Sequence, residues 1–113
     1  MVEPEEIFAE IKAQPPLMRE RAKSTFIGKE IDWVLTLVDG WEKGRGYARL
    51  MFRRQPSDVG FVAANVPLSD CPWLKHTHAG ETIRLRGSIA DGDTLTIELK
   101  GASVSHVVDE AAH

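Results

Sequence analysis

Lys43, Arg45, Arg49, Arg53 and Arg54 fall between positions 43 and 54 of the chain with no acid among them. Positive charge unopposed over such a stretch is suited to contact with phosphate. In an extended chain the odd-numbered Arg45, Tyr47, Arg49, Met51 and Arg53 share one face, opposite Ala48, Leu50 and Phe52. That face is a cationic stripe with Tyr47 inside it. Tyr47, Phe61 on the next extended segment if it turns outward, and Trp41 just upstream are candidate stacking surfaces for bases. Arg84 and Arg86, outward on a later strand, are candidates to extend the stripe. The same residues suit a second use: strand arginines also solvate an exposed face and protect sheet edges, and Phe61 on a small-residue strand also suits an inward position. Sequence leaves both readings open.

Other chemistry is sparse. Cys71, His76 and His78, with Asp70 nearby, form the one metal-like grouping. Two residues apart on a helix, the histidines diverge, which disfavours a shared ion and predicts no metal. Cys71 has no orienting base and is expected to be a small buried residue. Gly40, Gly44 and Gly46 fit neither a phosphate-binding loop nor a dinucleotide fingerprint, and Asp91-Gly92-Asp93 suits a hairpin better than calcium. With no convergent acid, base and nucleophile, the sequence predicts a binding module and not an enzyme, and no cofactor.

The elements that must position these residues follow from periodicity. Ile7 and Ile11 stand four apart with Phe8 beside the first, behind Pro4 and acids in the opening turn, so a short amphipathic helix is expected over 3–14. Pro15 and Pro16 end it, and a second helical piece follows through Leu17, Met18 and Ala22. From Thr25 the pattern alternates through Ile27, Ile31, Trp33, Leu35 and Leu37, predicting a long first strand that bends. Strands over 45–54 and 59–66 complete a meander, with a turn at 55–58. Ser69 or Asp70, Pro72 and Gly80 mark the cap, first turn and stop of a short helix. Strands from Thr82 and from Leu95 then make a hairpin.

At 113 residues the chain fits one domain, and 42% hydrophobic with 27% charged residues is the composition of a folded globule. The net charge of −3 argues against strong indiscriminate affinity for polyanions. One cysteine, an acidic opening segment and no apolar run of bilayer length predict a cytoplasmic protein without a membrane partner. Three meandering strands, a helix and a hairpin give the element order of a mainly β fold, the five-stranded OB-fold Greek-key barrel, with its helix between strands 3 and 4. The expected organisation is an N-terminal helical extension over 1–23, a barrel over 24–106 and a tail over 107–113.

The stretches Phe26–Trp33, Leu68–Leu74 and Ile83–Ile89 with Leu95–Leu99 resemble the small bacterial OB-fold proteins of the tRNA-anticodon-binding-like group, over roughly residues 16 to 105. The resemblance implies the barrel, and nucleic-acid binding by analogy; it implies no catalytic residue. The expected function is therefore a non-catalytic module binding single-stranded nucleic acid through Lys43, Arg45, Tyr47, Arg49, Arg53, Phe61, Arg84 and Arg86. The alternative is a protein-interaction or self-association module that uses the Ile7, Phe8 and Ile11 stripe.

Overall fold

A computed structural model describes residues 2–55 and 60–107. The helix α1 spans Pro4–Ala13, a 3₁₀ turn spans Pro16–Met18, and α2 spans Arg19–Ser24. The strands are β1 (Glu30–Glu42), β2 (Tyr47–Arg53), β3 (Phe61–Pro67), β4 (Thr82–Gly92) and β5 (Thr96–His106), with a 3₁₀ helix, Pro72–His76, between β3 and β4. The sheet closes in the order β1-β2-β3-β5-β4. Every pairing is antiparallel except β3 with β5. This is the expected mainly β, OB-like barrel.

Closure depends on β1. Glu30 to Thr36 pairs with β4, and Thr36 to Glu42 pairs with β2, with a register shift between Leu37 and Asp39. One extra residue there sharpens the bend and lets a single strand serve two neighbours. The first strand begins five residues later than the alternation from Thr25 suggests. Phe26 and Ile27 donate their N–H groups back to the Lys23 carbonyl, closing the end of α2, and Gly28 at φ 88° turns the chain into the barrel. Apolar alternation alone does not distinguish a strand from a helix end of that length.

The barrel interior holds Trp33, Leu35, Phe52, Val62, Ile83, Leu85, Ile89 and Ile97, all buried. Its two ends are closed differently. At the Arg53 end of β2, α1 inserts Ile7 and Ile11, each 1% exposed, into the same core. Phe8 lies against Gly60, where a Cβ would come within 2.6 Å of its ring, so only glycine admits this approach. The Trp33 indole donates to the Val2 carbonyl at 2.8 Å, and Arg54 pairs with Glu3 and Glu5. The Ile7–Phe8–Ile11 stripe is thus covered by its own barrel, which removes the surface on which the self-association reading relied.

At the Tyr47 end of β2, the 3₁₀ helix contributes Leu74, next to buried Cys71. No side chain caps this helix, contrary to the expectation for Ser69 or Asp70; Cys71 occupies the cap position and donates its S–H to the Pro67 carbonyl at 3.2 Å. Burial raises the Cys71 thiol pKa, as suits a packed residue and not a nucleophile. His76 ends the helix and His78 lies in the loop beyond it, its N–H accepted by the Glu81 carboxylate. Trp73 is half-buried against the core with its ring centroid 4.1 Å from that of His106, the last residue of β5. The predicted turn at 55–58 and the tail from 108 onward lie largely or wholly outside the described residues.

Candidate functional site

The outer face of the meander carries Tyr47, Arg49, Met51 and Arg53 from β2, as the period-2 pattern requires. Arg45 is not among them: it sits in the β1–β2 connection, between Lys43 and Tyr47, whose backbones are joined at 2.9 Å. Trp41 stands opposite Arg49, and Tyr47 opposite Pro67, so the two rings are diagonal neighbours on one face. They are 50% and 51% exposed, respectively, among the largest apolar surfaces the barrel presents.

The rest of the predicted stripe is neutralised or covered. Arg49 reaches from β2 across β3 to Glu98 on β5 and binds it with two hydrogen bonds, at 2.6 and 2.7 Å. This fork-to-fork pair passes over Ala63, whose outward position is 0% exposed although it lies on the solvent side of the sheet. The Glu98 carboxylate raises the pKa of Arg49 further. Arg53 lies 4.0 Å above the Phe61 ring, a cation–π stack that places Phe61 outward but takes its face. Neither Arg49 nor Phe61 is a free contact in this state.

Arg84 and Arg86 lie on β4, which is separated from β2 and β3 by β1 on one side and β5 on the other. They do not extend the stripe. Both bond Asp32 on β1, Arg84 in a bidentate pair at 2.6 and 2.8 Å and Arg86 at 3.2 Å. Hydrogen bonds from Arg84 hold the Asp32 pKa at about 2, below its ordinary 3.8, with burial opposing the shift. A carboxylate depressed in the folded state contributes stability above its unfolded pKa and loses it as pH falls through the folded value. Stability from this pair is therefore expected to be complete above about pH 4 and absent below about pH 2. Urea midpoints measured across that window should fall more steeply for the wild type than for Asp32→Asn. Parallel curves would show that the pair contributes nothing.

What remains open is the β1–β2 end of the face. Lys43 and Arg45 form no ion pair among the described residues. Leu68 donates to the Gly46 carbonyl at 2.8 Å and ties their loop to the segment leading into the 3₁₀ helix. Between that segment and the second half of β1 lies a cleft of about 500 Å³ with Trp41 and Lys75 in its walls. Beyond Leu37, no strand among the described residues pairs with β1 on this side, because β4 starts opposite Thr36 and the chain at 80–81 bonds only as far as Leu37. Lys75 and Glu98 escaped the sequence reading, since parallel pairing of β3 with β5 and return of the 3₁₀ helix to β1 are non-local. Among the described residues no three His, Cys, Asp or Glu side chains are placed to hold a metal.

No family model matches the chain, and no curated protein does. Among solved structures it is similar to a protein of Klebsiella pneumoniae subsp. pneumoniae MGH 78578 named "putative nucleic acid-binding lipoprotein". The TM-score is 0.59 at 17% sequence identity, over 75% of this chain and 76% of that one. At that identity the likeness is one of fold, and it agrees with the barrel described above. No helix among the described residues is long and apolar enough to cross a membrane.

Proposed function

We propose that this protein is a non-catalytic binding module that holds single-stranded nucleic acid at the β1–β2 end of its barrel. The observation that carries the reading is the coincidence, at this end, of two half-exposed rings, Trp41 and Tyr47, with Lys43 and Arg45, which have no carboxylate partner among the described residues. Rings that stack bases beside cations that follow the backbone are the two parts of a single-strand site. The name of the Klebsiella neighbour supports the same ligand class. A barrel of the tRNA-anticodon-binding-like kind in a cytoplasmic setting, which the lone cysteine favours, belongs to this reading.

The structure narrows what binding should look like. Lys43, Arg45 and Lys75 are three cations, and single strands release counterions with a slope of about 0.7 per phosphate neutralised, so log K against log salt should fall with a slope of about −2. Engagement of Lys43, Arg45, Arg49, Arg53, Arg84 and Arg86 together would give a slope of about −4. Titrating a labelled single strand at several salt concentrations distinguishes the two. A slope near −2 supports the β1–β2 end. A slope near −4 would mean that the ligand breaks the internal pairs of Arg49, Arg84 and Arg86. Absence of binding at low salt overturns the proposal.

A further inference from the structure

On the outer face of the meander the strand registers set three residues in one row across β1, β2 and β3: Trp41, Arg49 and Asn65. Tyr47 and Pro67 form the next row, so Tyr47 is the diagonal neighbour of Asn65 as it is of Trp41. Diagonal neighbours lie about 7–8 Å apart, within reach of aromatic and long side chains. Asn65 is the one fully exposed residue of β3. A base stacked on the half-exposed Tyr47 ring can therefore present its edge to the Asn65 amide.

What Asn65 offers to that edge is set by Arg49. The Asn65 Oδ1 accepts from an Arg49 Nη1 donor at 3.3 Å. A guanidinium has donors and no acceptor, so the amide turns its oxygen toward Arg49 and its NH2 group away. Arg49 is itself fixed, because both its Nη groups donate to the Glu98 carboxylate. The NH2 group of Asn65 has no partner among the described residues. An exposed amide that could otherwise flip to suit a donor or an acceptor is thus left as a donor.

Asparagine usually pairs with adenine in a bidentate contact, its oxygen accepting from the N6 amino group and its NH2 donating to N7. With the oxygen held by Arg49, only donation is left. Thymine and uracil offer a carbonyl oxygen at O4 and guanine one at O6, whereas adenine flanks N7 with an amino group whose hydrogens oppose those of the amide. Building on the nucleic-acid reading above, we infer that Asn65 is a specificity-determining residue, and that the base stacked on Tyr47 is selected for a keto oxygen: thymine, uracil or guanine over adenine. Arg49 and Glu98 are positioning residues that act through Asn65.

The experiment is fluorescence anisotropy of the full chain with labelled twelve-nucleotide oligo(dT) and oligo(dA) at one low salt concentration. Differences intrinsic to the two strands are common to every variant, so the readout is how the ratio of their affinities changes between variants. One hydrogen bond gained and one opposition of donors avoided should place the wild-type preference for oligo(dT) about 5-fold above that of Asn65→Ala. Asn65→Asp keeps the bond to Arg49 but turns an acceptor outward, so its preference should fall below that of the alanine variant, while both affinities drop with the added negative charge. Glu98→Ala releases Arg49: both strands should bind more tightly, because a cation is freed, and yet the preference for oligo(dT) should fall by about 2-fold or more. A preference that is the same in wild type, Asn65→Ala and Asn65→Asp overturns the base selection and leaves the nucleic-acid reading standing. A preference unmoved in Glu98→Ala overturns the positioning role of Glu98 and Arg49. Failure of both strands to bind the wild type overturns the base selection and the nucleic-acid reading together.

Discussion

Truncating Ile7 and Ile11 together to alanine is expected to bring the protein close to unfolding, although both residues lie outside the barrel strands. Each side chain is 1% exposed and packs into the core that the strands enclose. A buried isoleucine cut to alanine typically costs about 2–5 kcal/mol, because apolar contact is lost and a cavity remains. The two residues are one helical turn apart and share neighbours, so their effects should couple, and a combined loss of about 4–8 kcal/mol is the expectation. Against a total stability of about 5–15 kcal/mol for a domain of this kind, that is most of what is available. Urea unfolding at matched m-values measures it. A loss under about 1 kcal/mol would mean that α1 is a surface appendage and that another group closes this end of the barrel.

The second large effect concerns binding. Trp41→Ala with Tyr47→Ala should weaken single-strand affinity by at least about 30-fold, since each stacked base contributes about 1–3 kcal/mol and 1.4 kcal/mol is tenfold. Stability should hardly change, by about 0.5 kcal/mol or less, because both rings are half-exposed and neither belongs to the core. This separation of binding from folding makes the pair informative. Arg86→Gln, on the far wall of the barrel, provides the comparison and should leave affinity where it was. Unchanged affinity in the double aromatic variant would place the ligand elsewhere on the barrel, or nowhere on it.

The two expectations concern opposite ends of the same strand. At the Arg53 end of β2, the sequence signals were a helix with an apolar stripe and a glycine, and the structure joins them as a plug and its seat. At the Tyr47 end, the signals were a glycine-rich connection with cations and two aromatic residues, and these stay at the surface. A small barrel buries its ends with whatever local segments reach them, and here the N-terminal helix and the 3₁₀ helix close one each. The remaining rim, beside the bent part of β1, is where a ligand has access.

Local periodicity determined a good deal of this protein. Alternation from Thr82 to Ile89 and through Leu95, Ile97 and Leu99 specified two strands with a turn at Asp91-Gly92-Asp93 between them, and Pro15, Pro16 and the acids of the first turn bounded α1; the folded strands run further, to Gly92 and His106, and the connection lies at 93–95. From these the element order, and with it the barrel, was readable, because each signal is carried by residues close in the chain. The fate of the arginines was not. Arg49 meets Glu98 across 49 positions and Arg84 meets Asp32 across 52, through strand pairings that exist only once the sheet has closed. A charge is free or paired according to what faces it. In a closed barrel the facing residue comes from a distant strand, so tertiary structure alone reduced a stripe of cations to one open corner.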